Sequence, residues 1–290
     1  MKGLIVFLIL IFSISNYATE EKVVYGEDNR VDVFESINSS YIKWSKATAA
    51  QIYTTSLKPY NSQQYRISGE SLEAQGVCAE ERFSQQSAVA RCSGFLVSNN
   101  LLVTAGHCMQ TTSDCNEASW VFDYKVEFSD QSEVIVSKDS VYKCKRVVSR
   151  AYDNSNLADY AVIELDRSVA DRAPLDFRVK TGSKVGPYKG DRLVVIGHPS
   201  GLPTKIADGA QIRSLNSSIY FKANLDTFAG NSGSAVLNIN TGKVEGILVR
   251  GDTDYVFDNE RNCKVVNRVS NDGGTGEGVT RITTVSGLPR

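Results

Sequence analysis

Short apolar runs separated by turn residues constrain the fold of this chain more than any other feature. Long stretches of helical period are absent, and only two short helical turns are predicted, one after Cys108 and one within Ile37–Ser45. Many short strands with turns between them favour barrels or sandwiches over a parallel sheet with crossover helices. The predicted strands, which clusters of Gly, Asn, Asp and Ser separate, lie in LVTAGHC, KVEFS, SEVIVS, DYAVIEL, RLVVIGH, SAVLNI, KVEGILV and GVTRITTV.

The N-terminus reads MKGLIVFLILIFSISNYATEEK and is typical of a secretory signal peptide. Lys2 supplies the positive start, and a short apolar core from Leu4 to Ile14 leads to small residues and Ala18. The core is too short for a comfortable membrane span, although a permanent anchor is the alternative. We predict a signal peptide at 1–18 and a possible short propeptide at 19–22, whose removal would expose Val23 or Val24.

The overall charge and length limit the classes of partner. The 290 residues are 41% hydrophobic, which is enough for one large domain or two packed halves. The formal net charge is -1 and no long basic run occurs, so neither nucleic acid nor an anionic membrane is an expected partner. We expect a monomer in the extracellular space or periplasm, with no stable membrane association.

Six cysteines fit such an exported, oxidising environment. An even count allows three disulfides, but the residues alone leave their connectivity open. No C-x-x-C pair occurs, so metal binding by these thiols is disfavoured, and we expect no metal and no cofactor.

The segment GNSGS at 230–234 places a serine between glycines, which suits either a plain turn or a nucleophile. A nucleophilic serine needs a base, and histidine suits that role because its ordinary pKa lies near 6.5. The chain has two histidines, His107 in LVTAGHC and His198 in the turn VVIGHPSG. The base in turn needs a carboxylate, for which Asp159 at the start of DYAVIEL is the best candidate, ahead of Asp153 and Asp166.

Together these segments resemble the successive landmarks of the chymotrypsin-like serine peptidases. The landmarks are CSGFLVSNNLLVTAGHC, DYAVIEL, DTFAGNSGSAV, GILVRG and GVTRI, in the order His, Asp, Ser. GNSGS in place of GDSGG, together with the early segment VVYGEDNRVDV, resembles the bacterial glutamyl-endopeptidase branch. The resemblance extends over residues 23–285 and implies two packed antiparallel six-stranded β-barrels, with the N-terminal barrel in 23–170 and the C-terminal barrel in 171–290.

The resemblance also implies roles for individual residues. Ser232 would attack the scissile carbonyl, His107 would act as general base and acid, and Asp159 would orient His107. The backbone N–H groups of Gly230 and Ser232 would form the oxyanion hole. Cys92–Cys108 matches the family's disulfide beside the histidine, and Cys115–Cys144 with Cys78–Cys263 is the pairing expected for the others.

The resemblance also indicates candidate residues for substrate specificity. Asp226 lies six residues before Ser232, where trypsin-like enzymes carry the aspartate that binds Arg or Lys. Glu-preferring relatives carry a histidine in the strand that here reads GILVRG, and this chain has Leu248 and Val249 there. The other expected substrate-binding residues are Thr227, Gly251, Gly276 and Gly278.

The sequence therefore predicts a secreted serine endopeptidase that acts on protein or peptide substrates, with a weak preference for cleavage after basic residues. A Glu-preferring endopeptidase, or an inactive homologue that serves as a binding module, is the alternative.

Overall fold

The chain folds into two closed β-barrels, each of six antiparallel strands. The structure, a computed structural model, describes residues 23–129, 131–180 and 186–289. The predicted all-β fold of two six-stranded barrels is confirmed. The predicted signal peptide and propeptide, residues 1–22, lie outside the described residues.

Strands and a few short helices make up the regular structure of the described chain. Up to the end of the first barrel they are β1 (Val24–Tyr25), β2 (Arg30–Asp32), α1 (Ser39–Ser45), β3 (Thr48–Tyr53), β4 (Leu57–Pro59), β5 (Gln64–Ile67), β6 (Cys92–Leu96), β7 (Leu101–Thr104), α2 (Thr112–Asn116), β8 (Ala118–Phe122), β9 (Val134–Ser137), β10 (Val141–Asp153) and β11 (Ala158–Leu165). After it come β12 (Arg192–Gly197), β13 (Lys205–Ser214), β14 (Tyr220–Ala223), β15 (Ala235–Asn238), β16 (Val244–Arg250), β17 (Tyr255–Asp258), β18 (Cys263–Val266), β19 (Arg268–Val269) and β20 (Glu277–Arg281).

The first barrel closes in the order β10–β11–β7–β6–β3–β8. Its core is built around Phe95, Trp120 and Phe122, whose side chains are fully buried. Such burial supplies most of the stability of an antiparallel barrel, because each strand removes one face from water. In the β7–β11 pair, Thr104 lies opposite Ala161. This register brings the segment after β7 beside the start of β11.

The second barrel runs β12–β15–β16–β20–β14–β13, and β13 pairs back with β12. Phe221, Leu248 and Val279 lie opposite one another on neighbouring strands and fill its interior. All strands of the first barrel fall within residues 48–165 and those of the second within 192–281.

The first described residues lie on the second barrel, although they precede the first barrel in sequence. We call residues 23–32 the N-terminal strap. Its strand β2 pairs with β13, with Asp32 opposite Lys205, and β1 pairs in parallel with β19. The Lys205 ammonium donates to Asp32 Oδ1 over 2.5 Å, and both side chains are buried.

One sequence-based expectation needs correction. KVEFS, residues 125–129, is not a strand: Asp123 turns the chain with φ +59°, and the segment pairs with no strand of the described chain.

The stretch Tyr53–Ser87 carries strands β4 and β5, which form a sheet with β9. That sheet contributes the buried side chains of Leu57 and Ile67 to a separate apolar cluster.

Three disulfides connect the structure: Cys78–Cys263, Cys92–Cys108 and Cys115–Cys144. The first joins segments 185 residues apart in sequence. Within the described residues, no helix is long and apolar enough to cross a membrane.

Candidate active site

His107 and Asp159 meet where β7 and β11 run side by side. His107 lies in a 3₁₀ turn, Gly106–Met109, that follows β7, and Asp159 is the second residue of β11. Asp159 Oδ2 lies 2.7 Å from His107 Nδ1, while Oδ1 accepts hydrogen bonds from the main-chain N–H groups of Gly106 (2.6 Å) and His107 (3.1 Å). One carboxylate therefore fixes both the ring and the main chain of the histidine.

Asp159 is buried and His107 is partly exposed, an arrangement that suits a carboxylate paired with an imidazole. Asp159 is 0% exposed, whereas the His107 side chain is 15% exposed and reaches the surface. A buried carboxylate is stable only when its oxygens are hydrogen-bonded, as they are here. The close packing of the histidine turn against β10 requires glycine at position 106, since a Cβ atom there would lie 1.9 Å from the carbonyl oxygen of Ala151.

Ser232 lies in the tight turn between Phe228 and β15. Its carbonyl oxygen accepts a hydrogen bond from Ser93 N over 2.8 Å and lies 3.8 Å from Cys108 Sγ. Cys108 directly follows His107, so the two barrels bring the serine segment against the histidine turn. The side chain of Ser232 is mostly buried, with 7% of its surface exposed.

Two glycines allow the turn around Ser232 to form. Gly230 has φ +89°, and a Cβ atom there would lie 2.5 Å from the carbonyl oxygen of His198. Gly233 has φ +92°, and its Cβ would lie 2.0 Å from the carbonyl oxygen of Ser93. Left-handed backbone with such close neighbours admits only glycine. We call residues 228–234 the serine turn.

Asp226 is placed differently from what its position in the sequence suggests. Its Oδ1 accepts from Tyr25 N (2.8 Å) and its Oδ2 from Asn29 N (2.9 Å), so both oxygens bind the main chain of the N-terminal strap. The residue is 4% exposed. Burial raises the pKa of its carboxyl to about 6, against the opposing effect of the two N–H groups.

Thr227, a predicted pocket residue, is fully buried and donates to Glu277 Oε2 over 2.7 Å. Glu277 is itself 0% exposed and was missed by the sequence analysis. Its signal was present, because it stands between Gly276 and Gly278, both named as pocket residues. The predicted strand GVTRITTV begins at Gly278 and leaves Glu277 in the preceding loop, whereas β20 begins at Glu277 itself.

The predicted glycines lie close to cationic side chains. Gly278 is opposite Lys222 on β14 and opposite Arg250 on β16, so the three residues share one face of the sheet. Gly276 donates its N–H to the Tyr25 hydroxyl (3.0 Å), and its carbonyl accepts from Lys222 Nζ (2.6 Å). Gly251 directly follows β16 and is half-buried.

Arg250 reaches from the second barrel to the first. Its Nη2 donates to the carbonyl oxygen of Leu157 over 2.5 Å, two residues before Asp159. The guanidinium therefore crosses the cleft on the side of β16 and β20.

The second histidine has a structural role. His198 is 0% exposed, its Nδ1 lies 3.0 Å from the Leu202 carbonyl oxygen, and its ring stacks on Tyr124 with centroids 5.6 Å apart. Burial lowers the pKa of His198 to about 3. It is thus a neutral residue of the core, in line with the turn in which the sequence places it.

His107 also lies close to the sulfurs of Cys92 and Cys108, with these potential ligand atoms within 4.8 Å of one another. The two sulfurs form a disulfide, so they offer no thiolate to a metal.

A family model for the trypsin-like peptidase domain matches residues 92–247, a segment that contains His107, Asp159 and Ser232. The chain belongs to the trypsin-like peptidase family. By this membership it is a hydrolase of the serine endopeptidase class. A search of curated proteins finds no match.

Solved structures support the same fold at low sequence identity. A Glu endopeptidase is 17% identical with a TM-score of 0.52, and the match covers 90% of this chain and 94% of that one. The VesB protease of Vibrio cholerae is 14% identical with a TM-score of 0.52, over 88% of this chain and 64% of that one. An inactivated protease paralogue of the scabies mite is 15% identical with a TM-score of 0.51, over 90% and 94%. These likenesses identify the trypsin-like fold of this peptidase.

Proposed function

We propose that this trypsin-like peptidase is a secreted endopeptidase that cleaves peptide bonds with Ser232, His107 and Asp159. Ser232 Oγ attacks the scissile carbonyl while His107 takes its proton, and the C–N bond then breaks as His107 returns that proton to the leaving amine. The acyl group stays on Ser232 as an ester until water, activated by the same histidine, releases it. Asp159 stabilises the imidazolium that forms at each stage.

The observation that carries this proposal is the pairing of His107 Nδ1 with the buried Asp159 carboxylate. This contact selects the tautomer that leaves Nε2 as the base. The main-chain N–H groups of Gly230 and Ser232, in a turn whose left-handed backbone requires glycine at 230 and 233, are the donors proposed for the oxyanion. Removing one such donor typically costs about 3–4 kcal/mol of transition-state stabilisation.

Secretion is supported by the three disulfides, which persist in oxidising compartments. We propose removal of residues 1–18, and trimming of 19–22, as the route to the mature enzyme. Mass spectrometry of the secreted protein tests both steps. A fully active form that begins at Thr19 would show that trimming of residues 19–22 is not needed for activity.

The predicted preference for basic residues before the cut depends on Asp226. The contacts of Asp226 do not favour that preference. Both carboxylate oxygens already accept N–H groups of the strap, and the side chain is almost fully buried. The side chains that flank the predicted pocket residue Gly278 are instead the cations Lys222 and Arg250. Each of these cations donates to one main-chain carbonyl and keeps further N–H donors for a carboxylate. We therefore favour the Glu-preferring alternative, with acidic side chains before the scissile bond, although Leu248 and Val249 stand where Glu-preferring relatives carry a histidine.

The triad is tested by intact mass after treatment with a fluorophosphonate, with Ser232→Ala as the matched control. We expect one adduct, mapped to Ser232 and absent from the variant. No adduct on folded protein that begins at Val23 would contradict the triad and favour the inactive homologue that serves as a binding module.

The specificity proposal is tested with peptides that differ only in the residue before the cut, Glu, Arg or Leu. Lys222→Met and Arg250→Met should each lower kcat/KM for the Glu peptide by about tenfold, the usual effect of losing a charged hydrogen bond. Lys58→Met, at an exposed position of β4, is the control. A wild-type preference for Arg over Glu would restore the role first expected of Asp226.

A further inference from the structure

The orientation of the peptide unit between Ala229 and Gly230 decides whether the Gly230 N–H group can serve as an oxyanion donor. This peptide bond is trans. In a trans peptide the carbonyl and the following N–H point in opposite directions, because the whole unit is planar. The group that binds the Ala229 carbonyl therefore also directs the Gly230 N–H.

Ala229 is held by one hydrogen bond on each side of its Cα atom. Its carbonyl oxygen accepts from Ser200 N over 2.6 Å, and its N–H donates to Asp254 Oδ2 over 2.8 Å. Ser200 lies in the turn after β12, and Asp254 directly precedes β17. One contact fixes the peptide plane before Ala229 and the other fixes the plane after it, so both dihedral angles of Ala229 are determined. The Gly230 N–H consequently points away from the turn after β12.

The rest of the serine turn is anchored in the core. Ser93 Oγ donates to the Gly230 carbonyl over 2.8 Å, and the Asn231 carbonyl accepts from Ser234 N over 2.8 Å. Ser93 and Ser234 are both 0% exposed. The second of these contacts holds the peptide unit that carries the Ser232 N–H, the other proposed oxyanion donor. That donor is therefore positioned from inside the protein.

Ala229, by contrast, is the one exposed residue of the serine turn. Water reaches its main chain and competes for the hydrogen bonds there. Glycine at position 230 adds little resistance to rotation of the peptide unit, because glycine adopts either sign of φ. The orientation of the Gly230 N–H therefore depends on the contacts that Asp254 and Ser200 make with Ala229.

Asp254 stands at the base of the β17–β18 hairpin. Its carbonyl oxygen accepts from Asn267 N over 2.9 Å, beyond the end of β18. The disulfide Cys78–Cys263 fixes the hairpin to the stretch before β6. The Asp254 carboxylate is therefore carried by an element with anchors of its own.

Tyr255, the next residue, supports the other contact of Ala229. Its hydroxyl is paired with Ser200 Oγ at 2.7 Å, and its ring packs against Phe228 with centroids 5.2 Å apart. Ser200 has φ +53°, a left-handed conformation that a residue other than glycine keeps only when its surroundings hold it. The hairpin base thus supports the Ala229–Gly230 peptide from both directions.

We propose that Asp254 and Tyr255 are positioning residues of the oxyanion hole. Asp254 binds the N–H of Ala229 and Tyr255 binds Ser200, and together they keep the Gly230 N–H directed at the carbonyl oxygen of the substrate. Neither side chain acts on the reacting atoms itself. The inference rests on the proposed function, because this donor has a role only if Ser232 attacks a carbonyl.

Hydrolysis of a coumaryl peptide amide by three variants tests the proposal. Asp254→Ala removes the acceptor and should lower kcat by about 10²-fold with KM unchanged, the effect of a misplacement of roughly 1 Å. Asp254→Asn keeps an oxygen that accepts from Ala229 N and should stay within about threefold of the wild type. Tyr255→Phe keeps the ring on Phe228 and loses the hydroxyl contact, so we expect kcat to fall about fivefold.

Asp258→Ala is the matched control. Asp258 lies in the same hairpin, and its carboxylate accepts the N–H groups of Glu260 and Arg261 at the tip. A loss of activity that arose only from loosening the hairpin would appear in this variant as well. We expect Asp258→Ala to keep the wild-type kcat.

A transition-state analogue separates positioning from a purely structural role. Ser232 Oγ bonds to the carbonyl carbon of a peptide aldehyde, the Ser232 proton passes to His107, and the aldehyde oxygen takes the electron pair of the broken π bond as an oxyanion. The corresponding peptide alcohol binds without this step. Asp254→Ala should raise the Ki of the aldehyde by about 10²-fold, in parallel with the loss in kcat, and leave the Ki of the alcohol unchanged.

A wild-type kcat in Asp254→Ala would overturn the proposal, as would equal losses in Asp254→Ala and Asp254→Asn. If Asp254→Ala does not fold, the ratio of aldehyde to alcohol Ki in Tyr255→Phe decides: a rise of about fivefold supports the proposal and an unchanged ratio overturns it. Wild-type protein that the fluorophosphonate does not label would instead reject the proposed function.

Discussion

Asp159 shows how much a single carboxylate determines at this site. It accepts two main-chain N–H groups through one oxygen and faces His107 Nδ1 through the other. If asparagine replaces Asp159, an N–H₂ group takes the place of one negatively charged oxygen, either beside His107 Nδ1 or beside the main-chain N–H groups. Either the main-chain contacts or the histidine tautomer must change.

We expect Asp159→Asn to lower kcat by about 10⁴-fold while the fold is kept, because the histidine is held in the wrong tautomer. Hydrolysis of a coumaryl peptide amide measures the loss. Asp153→Asn is the matched control, since Asp153 lies in the same hairpin and its carboxylate accepts hydrogen bonds from its neighbours Ser155 and Asn156. A loss below tenfold for Asp159→Asn would contradict the assigned role.

Asp226 gives a prediction on stability. Its pKa is about 6 in the folded protein and near 4 in the unfolded chain, so the folded state holds the proton more tightly. A raised carboxyl pKa means that this group's contribution to stability falls as pH rises from about 4 to 6. Asp226→Asn should remove this pH-dependent contribution, up to about 3 kcal/mol, from the dependence of the free energy of unfolding on pH. Urea unfolding in the inert Ser232→Ala background measures it, and parallel profiles for both proteins would refute the expectation.

The proposed triad residues stand out in the sequence because each lies in a local pattern, an apolar run that ends in small residues or a serine between glycines. The environment of Asp226 could not be predicted from the sequence. Its partner Tyr25 is 201 residues away, and nothing near Asp226 indicates that the N-terminal strap would reach it. Glu277 could not be predicted for a similar reason, because its hydrogen-bond partner Thr227 is 50 residues away in sequence.

Among the elements, the turn after β12 depends on a buried neutral histidine. The pKa of His198 is lowered by burial to about 3, whereas the unfolded chain protonates near 6.5. The unfolded state therefore binds more protons between these values, and stability is lost as pH falls below about 6.5.

His198→Asn should remove the loss of stability at low pH. Its amide can still donate to the Leu202 carbonyl in place of Nδ1, although the stacking on Tyr124 is gone. We expect the stability difference between wild type and variant to shrink by about 3 kcal/mol between pH 7.5 and 4, measured by urea unfolding in the Ser232→Ala background. A constant difference would show that His198 titrates normally.

Strands with one strongly apolar face were predictable, and those without were not. DYAVIEL is almost entirely buried as β11, and the sequence identifies it at once. Its neighbour β10 is thirteen residues long but exposes much of its length, including Lys145 and Arg146, so no apolar pattern marks it. Its place in the barrel depends on main-chain pairing with β8 and β11, which the side chains do not reveal.

At the scale of the molecule, a buried ion pair fastens the N-terminal strap to the second barrel. Lys205 donates to Asp32 and to Gln86, and Gln86 donates to Asp32 (2.5–2.8 Å). The three side chains come from β13, from β2 and from the stretch before β6. One polar cluster therefore joins segments that otherwise belong to separate parts of the fold.

Breaking this cluster on one side should be costly. Asp32→Asn leaves the Lys205 ammonium buried without its counter-charge, and we expect a loss of about 3–5 kcal/mol in the free energy of unfolding. The double variant with Lys205→Met should recover part of it. The same cycle on the more exposed pair Lys145 and Glu164 should give a coupling of about 1 kcal/mol or less. Equal coupling energies for the two pairs would contradict the importance of burial.

The N-terminal strap also sets an order of events during synthesis. Val24 pairs with Arg268, and Tyr25 donates to Asp226, so residues made first wait for partners made almost last. Contacts of such long range form slowly, because a large loop must close before they contribute. The strap can therefore complete its contacts only once the chain is available as far as Val269, close to the end of the polypeptide.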